Sequence, residues 1–224
     1  MSGAITEFAP AKINLSLRVG RVRGGGYHAR DSLVSLAAWG DTITVRDEIA
    51  LMMSMSGEAS EDLIEEENNL VLQAARALQD HAGIDKGAII HLHKEIPVAA
   101  GLGGGSADAA ATLRALNQLW ELGLTRQELQ ALGLQLGADV PVFIYGKSSF
   151  AEGVGEQLQP LKMPKMWFLV LKPPVSVPTE TIFSHSQLTR DTRAIKMPSV
   201  FSNISCPFTT AKRLRIPFNL TFAI

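Results

Sequence analysis

A run of glycines stands directly before one of the best helix-forming stretches of the chain. Residues 97–120 read PVAAGLGGGSADAAATLRALNQLW, with four glycines in five positions followed by alanines and leucines. Glycine lets backbone N–H groups converge without side chains in the way, and a helix N-terminus adds partial positive charge at the same point. The pattern therefore predicts an anion-binding loop between a strand and a helix.

Two of the known phosphate-binding patterns do not fit this chain. GKSS at residues 146–149 lacks the glycine that a P-loop, G-x-x-x-x-G-K-[ST], requires five positions earlier, which favours a simple turn there. The dinucleotide fingerprint G-x-G-x-x-G fits Gly101 and Gly103, but Ser106 replaces its last glycine. No acidic residue ends a strand about twenty positions later, as that fingerprint also requires.

A third pattern, P-x-x-x-G-L-G-[GS]-[GS]-S-[AS], is matched at every defined position. The matching residues are Pro97, Gly101, Leu102, Gly103, Gly104, Gly105, Ser106 and Ala107. This stretch resembles the second motif of the small-molecule kinases typified by galactokinase, homoserine kinase, mevalonate kinase and phosphomevalonate kinase. A purely structural glycine-rich turn is the alternative.

Further motifs narrow the resemblance to one family. PAKINLSL at residues 10–17, GGGYH at 24–28, LGADVPVF at 136–143 and VSVPTETIF at 175–183 resemble the 4-diphosphocytidyl-2-C-methyl-D-erythritol kinases. The resemblance implies an ATP-dependent kinase that phosphorylates the 2-hydroxyl of its cytidine diphosphate-linked substrate, in the methylerythritol phosphate route to isoprenoids. A kinase of another small alcohol, such as mevalonate or homoserine, is the alternative within the class.

Hydrophobic periodicity predicts an α+β fold, because strands and helices are mixed without regular βαβ alternation. Alternation over residues 12–19 predicts a strand with Lys12 and Asn14 on the same side. Residues 32–47 are expected to form two strands around a Gly-Asp turn. Helices are predicted after Asn69, after the glycine loop and from the capping box of Thr125 to Gly137. VPVFIYG and MWFLVLKPP are apolar runs of strand length.

The resemblance also implies two domains. A ribosomal-protein-S5-like domain is expected over residues 1–155, and an α/β-sandwich domain is expected to begin at 156–203 and to be incomplete. After FSN at residues 201–203 the sequence no longer resembles the family, and a third glycine-rich motif is absent. We therefore expect an aberrant tail at 204–224 from an altered frame or truncation, with low stability or aggregation. A catalytically inactive nucleotide-binding remnant is the alternative function.

Phosphoryl transfer requires a phosphate cradle, a cation and an aligned nucleophile. The cradle is expected from Gly101 to Ser106, with Mg²⁺ arriving together with ATP. Pro97, Ala100 and Ala107 of the same motif are also expected to bind the nucleotide. By resemblance, Asp139 is the catalytic base and Lys12 is its partner, holding the carboxylate ionised. Taken alone, the two residues are an ordinary loop carboxylate and an exposed strand lysine.

The resemblance assigns the remaining contacts. Lys94, on the apolar side of its strand, is expected near the nucleotide, with a snorkelling lysine as the alternative, and Asn69 is expected near the adenine. Asn14 is expected to contact the erythritol or its phosphate. The cytidine end and its surroundings are assigned to Tyr27, His28, Thr179 and Phe183.

Composition excludes several other classes. A net charge of −1 argues against a broad nucleic-acid or membrane surface, and a small charged substrate is easier to accommodate. The single Cys206 suits a reducing compartment, and no secretory leader or membrane-length apolar run is evident, so a cytoplasmic protein is expected.

His91 and His93 fit an exposed polar face better than a metal site, and Asp108 is interpreted as structural.

Overall fold

The computed structural model describes residues 3–22, 28–60, 69–153, 155 and 157–171. This part of the chain forms strands β1 (Ile5–Val22), β2 (His28–Glu48), β3 (Leu51–Ser56), β4 (Gly87–His93), β5 (Ser149–Glu152) and β6 (Gln157–Pro160). Its helices are α1 (Leu70–Ala82), α2 (Gly104–Leu119), α3 (Arg126–Leu136) and α4 (Val140–Tyr145). Strands and helices are mixed, as the α+β prediction requires.

All six strands join one sheet around β2. β1 pairs antiparallel along most of β2, while β5 pairs with the first half of β2 and β4 with its second half. β3 adds to β4 in parallel, and β6 adds to β5 in antiparallel orientation. Burial along β2 alternates, with Ile43 and Val45 fully buried and Thr44 between them less so. The sheet therefore has one apolar face, and the helices cover it.

The prediction of two strands around a Gly-Asp turn is wrong, because β2 runs unbroken through both residues. A methyl group built on Gly40 would lie 2.2 Å from Ala9 O. Glycine is present there so that the backbones of β1 and β2 can approach closely. Asp41 is fully buried and accepts hydrogen bonds from a neighbouring segment. The tertiary contacts of Gly40 and Asp41 thus outweigh the preference of a Gly-Asp pair for turns.

Helix α2 is the central helix of the core. Five alanines allow it to pack closely against the sheet and the other helices; they are Ala107, Ala109, Ala110, Ala111 and Ala115, each 0% exposed. Trp120 follows the helix, is 2% exposed, and donates from Nε1 to Gly87 O at 3.1 Å. The helix predicted after the glycine loop is therefore confirmed, and its apolar residues lie in the core.

The predicted helix boundaries are confirmed at three points. Asn69 caps α1 by accepting from the Val71 N–H at 2.9 Å. Thr125 and Glu128 form the reciprocal capping box of α3, which ends at Gly137. Polar side chains at these positions satisfy N–H groups that a helix leaves unpaired at its start.

Two apolar runs of strand length do not form strands in the residues that the structure describes. VPVFIY forms α4, with proline in its first turn and Gly146 closing it at φ 73°. Residues 161–171 have neither helix nor strand, and Trp167 is 96% exposed. Continuous apolar runs lack the periodicity that separates a strand from a buried helix.

Arg114 of α2 fixes α4 against β1. Its Nε lies 2.9 Å from Glu7 Oε2, and its two terminal nitrogens donate to Phe143 O at 2.9 Å and Phe8 O at 3.1 Å. A guanidinium suits this role because its donors are fixed in one plane. These contacts of Arg114 hold β1, which carries Lys12, near α4, which follows Asp139.

The two-domain division stays a prediction. The expected boundary after residue 155 falls between β5 and β6, which pair in one sheet, and residues 172–224 lie outside the described part of the chain. Residues 23–27, which hold most of the GGGYH motif, and residues 61–68 also lie outside it. No helix within the described ranges is both long and apolar enough to cross a membrane.

We expect Gly40→Ala to destabilise the fold, because its new methyl group would force β1 and β2 apart. The predicted loss is roughly 1–3 kcal/mol of unfolding free energy, measured by urea denaturation followed by circular dichroism. Gly3→Ala is the control, since nothing lies within 4 Å of the added methyl group. Equal stability of the two variants would contradict the close approach of the strands.

Candidate active site

A cavity of about 300 Å³ lies between the glycine loop, the first two strands and the turn before α4. Its walls bring together residues that are far apart in the chain. Those singled out by the sequence analysis are Lys12, Asn14, Ala100, Gly101, Leu102, Gly103, Gly104, Gly105, Ser106 and Asp139. The glycine loop and the predicted catalytic carboxylate thus face one common space.

The glycine loop ends at the N-terminus of α2. Gly101 and Gly103 have φ of 71° and 72°, in the left-handed region that favours glycine. Gly103 is the N-cap residue and has no side chain to accept the first N–H groups of the helix. Those groups are left for another acceptor, and the helix dipole favours an anionic one.

Gly103 also lies where no side chain fits. A methyl group built on it would be 2.8 Å from Phe143 Cζ and 3.0 Å from Lys12 Cε. The Lys12 N–H donates to Leu102 O at 2.9 Å, which ties β1 to the loop through the backbone. The loop, β1 and α4 therefore meet at one crowded point.

Two changes in strand register flank Lys12 and Asn14. The pairing of β1 with β2 shifts between Pro10 and Lys12 and again between Asn14 and Ser16. Such irregularities turn side chains away from the direction that regular pairing would give. Between the two shifts, Lys12 and Asn14 lie on the same side, as predicted, and both line the cavity.

Lys12 and Asp139 form an ion pair at the cavity wall. The distance from Lys12 Nζ to Asp139 Oδ2 is 3.3 Å, with the two side chains 9% and 33% exposed. Asp139 lies in the turn between α3 and α4, and a methyl group built on Gly137 in that turn would be 3.7 Å from Ser106 Oγ. A carboxylate held in this way can accept a proton from a hydroxyl group bound in the cavity.

A directed series of hydrogen bonds orients Lys12. The Ser32 hydroxyl donates to Ser16 O at 2.9 Å, and a carbonyl oxygen can only accept. Ser32 Oγ therefore accepts from Asn14 Nδ2 at 2.6 Å, which turns Asn14 Oδ1 toward Lys12 Nζ at 2.7 Å. The orientation of the ammonium group is thus fixed by a backbone carbonyl of β1.

A second lysine lies buried beneath the loop. Lys94 is 3% exposed, and its Nζ donates to Asp41 and, at 2.9 Å, to Asp108 in the first turns of α2. Asp41 Oδ1 accepts from the N–H groups of Glu95 at 2.6 Å and Ile96 at 2.8 Å. Lys94 lies on the apolar side of its strand, where an ammonium group requires a partner. Its partners are the side chains of Asp41 and Asp108.

Asp108 shares this ammonium with Asp41 and is itself buried. Burial raises the pKa of Asp108 to about 7, the nearby Lys94 charge opposes the rise, and the Asp41 charge adds to it. Asp108 Oδ1 has no hydrogen-bond partner among the described residues. The interpretation of Asp108 as a structural residue agrees with this position.

Four predicted nucleotide-binding residues do not line the cavity: Pro97, Ala107, Lys94 and Asn69. Lys94 is buried against Asp41 and Asp108, so it neither snorkels to solvent nor lines the cavity. Asn69 is used as the cap of α1, and the next residue, Leu70, contributes to the wall instead. Tyr27, Thr179, Phe183 and the side chain of His28 lie outside the described part of the chain.

Three polar residues were not predicted from the sequence: Ser32, which lines the cavity, and Asp41 and Arg114, which hold neighbouring elements. Asp41 was hidden in an apparent turn, although an acidic residue directly before an alternating apolar strand was a usable signal. Ser32 directly precedes Leu33 and Val34 in β2, and Arg114 stands between Leu113 and Ala115 in α2. A polar residue next to such apolar neighbours is a signal for a polar contact in the core.

His91 and His93 take part in a polar ladder with β3. Ser54 Oγ lies 2.9 Å from His91 Nδ1, and Ser56 Oγ lies 3.0 Å from His93 Nδ1. Within the ranges that the structure describes, no group of three or more His, Cys, Asp or Glu side chains could hold a metal ion.

The sequence matches the model of the GHMP kinases N terminal domain over residues 69–147. It is 49% identical over 202 residues to the 4-diphosphocytidyl-2-C-methyl-D-erythritol kinase of Alcanivorax borkumensis, covering 89% of this chain and 67% of the relative. The enzyme of the same name from Burkholderia cenocepacia is 49% identical over 191 residues, or 84% of this chain and 63% of the relative. The chain thus spans about two thirds of the length of these curated relatives.

Solved structures agree with these relatives. A crystal structure of 4-(cytidine 5'-diphospho)-2C-methyl-D-erythritol kinase is 38% identical with a TM-score of 0.57, covering 71% of this chain and 56% of the other. Homoserine kinase from Cytophaga hutchinsonii has the same TM-score of 0.57 at 21% identity, covering 73% of this chain and 53% of the other. The second likeness shows the shared fold alone.

The raised pKa of Asp108 predicts how stability depends on pH. The folded state keeps this proton up to about pH 7, whereas the unfolded chain releases it near 3.8. Unfolding therefore releases a proton between these values, so the contribution of Asp108 to stability falls as pH rises from 4 to 7. Lys94 and Asp41 are the charged groups that face it.

We expect Asp108→Asn to remove this dependence. The difference in unfolding free energy between the unmodified chain and the variant should decline from pH 5 to 7 and then level off, as measured by urea denaturation. Thr112→Val, which alters a buried group on the same helix that does not titrate, should give a difference independent of pH. A flat difference for Asp108→Asn would contradict the assigned pKa.

Proposed function

We propose a function that follows from family membership, because the chain belongs to the GHMP kinases and, among them, to the 4-diphosphocytidyl-2-C-methyl-D-erythritol kinases. The chain transfers the terminal phosphoryl group of ATP to the 2-hydroxyl of 4-diphosphocytidyl-2-C-methyl-D-erythritol, a step toward isoprenoid precursors. The observation that carries this proposal is the single cavity in which the uncapped glycine loop faces the Lys12–Asp139 pair.

The glycine loop binds the triphosphate of ATP in this mechanism. Backbone N–H groups from Gly101 to Ser106 and the positive end of α2 supply donors that need no reorganisation when the anion arrives. Mg²⁺ would arrive with ATP, the hydroxyl of Ser106 would be available to hold it, and the ion would offset the negative charge of the phosphates. Because phosphoryl transfer depends mostly on positioning and charge stabilisation, this cradle supplies the larger part of the chemistry.

Asp139 prepares the acceptor alcohol. Its carboxylate accepts the proton of the 2-hydroxyl as that oxygen forms a bond to the terminal phosphorus of ATP and the bond to the bridging oxygen breaks, releasing ADP. Lys12, 3.3 Å away, stabilises the ionised carboxylate and the negative charge that collects near it. The bonds through Asn14 and Ser32 keep the ammonium in this position.

The cytidine end of the substrate is assigned by family resemblance. Tyr27 and Phe183 stack on the pyrimidine, His28 bonds its edge, and Thr179 contacts the substrate. Asn14 lines the cavity next to Lys12, which suits a contact with the erythritol portion. The adenine is assigned to the start of α1, where Leu70 reaches the wall of the cavity. A cytoplasmic location completes the proposal.

We expect turnover with only one of several alcohols. The purified chain would be incubated with magnesium-ATP and, separately, with the cytidyl substrate, mevalonate and homoserine, while ADP release is followed by a coupled assay. ADP should appear with the cytidyl substrate alone, because the other alcohols carry no nucleotide to orient them. ATP binding without turnover on any alcohol would contradict the proposed activity, and turnover on mevalonate or homoserine would contradict the proposed substrate.

Asp139→Asn should lower kcat by about 10²–10⁴-fold, the usual contribution of a positioned general base. The affinity for ATP should change little, because the loop that binds the phosphates is untouched. Steady-state kinetics and calorimetric titration with ATP would measure the two quantities. Asp85→Asn, an exposed residue beyond α1, is the matched control. Retention of most of the rate in Asp139→Asn would overturn its role as base.

A further inference from the structure

The glycine loop has little hydrogen bonding of its own. Residues 94–103 belong to no helix or strand. Apart from bonds inside helices and strands, residues 97–103 make two backbone hydrogen bonds with described residues. The Lys12 N–H donates to Leu102 O, and the Ala107 N–H donates to Gly103 O. A loop that turns its N–H groups toward a ligand cannot use them to hold itself. Its position must be fixed from outside, by groups that bind its two ends.

The end that enters the loop is held by Asp41. The N–H groups of Glu95 and Ile96 follow β4 and have no strand partner, and both donate to the same oxygen of Asp41, at 2.6 and 2.8 Å. Asp41 lies in the middle of β2 and is 0% exposed, so its carboxylate is fixed by the sheet. A charged acceptor makes these bonds stronger than neutral ones.

The end that leaves the loop is held by the same carboxylate through Lys94. The second oxygen of Asp41 accepts from Lys94 Nζ, which also donates to Asp108 Oδ2 at 2.9 Å. A methyl group built on Gly104, the first residue of α2, would lie 2.9 Å from that ammonium. The ammonium therefore lies directly under the start of the helix.

We propose that Asp41 is a positioning residue for the anion-binding loop. Its carboxylate fixes the strand end that enters the loop and, through Lys94, the first turns of the helix that leaves it. The inference deepens the proposed function, on which it depends only for the identity of the anion as the triphosphate of ATP. Asp41 contacts no ligand itself, because it lies beneath the loop and does not line the cavity.

Burying the charges of Asp41 and Lys94 costs free energy, and this cost indicates that they have a role other than stabilising the core. Removing an ion from water costs several kcal/mol, and apolar side chains of similar volume often stabilise a core at least as well. What an apolar side chain cannot do is accept two backbone N–H groups and a lysine at once. The arrangement thus supplies geometry that apolar packing could not supply.

Amide hydrogen exchange and ligand binding test the proposal on the full chain. Asp41→Asn keeps the shape of the side chain but replaces one acceptor oxygen with a donor facing Lys94. Exchange in residues 94–108 should rise at least about tenfold more than exchange in the paired part of β1 and β2, the loss expected for a charged hydrogen bond. The affinity for inorganic tripolyphosphate should fall about tenfold.

Thr112→Val is the control for a merely structural effect, since Thr112 is buried on α2 and its hydroxyl donates to the backbone oxygen of Asp108, not to its carboxylate. It should change exchange uniformly and leave tripolyphosphate affinity within twofold. If the two variants behave alike in both measurements, Asp41 has no positioning role. If turnover is measurable, the KM for ATP should rise in Asp41→Asn more than the KM for the acceptor.

A second measurement needs no variant and decides the matter if Asp41→Asn does not fold. In the unmodified chain, the amides of Glu95 and Ile96 should exchange at least about 100-fold more slowly than those of an unstructured peptide, read residue by residue by NMR. Exchange at peptide rates would overturn the proposal. Failure of the unmodified chain to bind tripolyphosphate would instead refute the anion site of the proposed function, and the exchange rates would still decide the role of Asp41.

Discussion

The backbone of the glycine loop must be fixed in place while its N–H groups remain available to a ligand, and the rest of the structure depends on this constraint. The glycine loop meets this constraint by using contacts at its ends instead of bonds within it. Asp41 of β2 binds the segment that enters the loop, and Lys94 links that carboxylate to α2. The long strand β2 is therefore both the centre of the sheet and the support of the loop, so fold and site share one element.

Two lysines lie close to this loop and differ in environment. Lys12 faces the cavity and is balanced by Asp139, whereas Lys94 is enclosed and balanced by two carboxylates. Both ammonium groups lie close to the start of α2, where the helix dipole is also positive. A cation in a cavity can act on a ligand directly, and an enclosed one acts through the backbone that it fixes. This difference explains why residues of one type have separate tasks.

Local patterns predicted the parts of the fold that local chemistry decides. Caps at Asn69 and Thr125 and the uncapped glycine start of α2 follow from hydrogen bonding within a few residues. The lysine and carboxylate of the cavity could be named only through family resemblance, because their meeting depends on distant elements. Asp41 was obscured by its local sequence: a Gly-Asp pair is typical of turns, and only the approach of β1 to β2 explains why this one lies inside a strand.

The tryptophans make the intrinsic fluorescence of the protein sensitive to unfolding. Trp120 is 2% exposed beside the core, Trp39 is 38% exposed on β2, and Trp167 is 96% exposed beyond the last strand. Indole emission shifts to longer wavelength in contact with water, so Trp167 already emits as a solvated ring in the native protein. The spectral change on denaturation therefore reports chiefly on Trp120, whose indole nitrogen bonds to β4. Quenching by a water-soluble agent would remove the other two contributions and leave the interior signal.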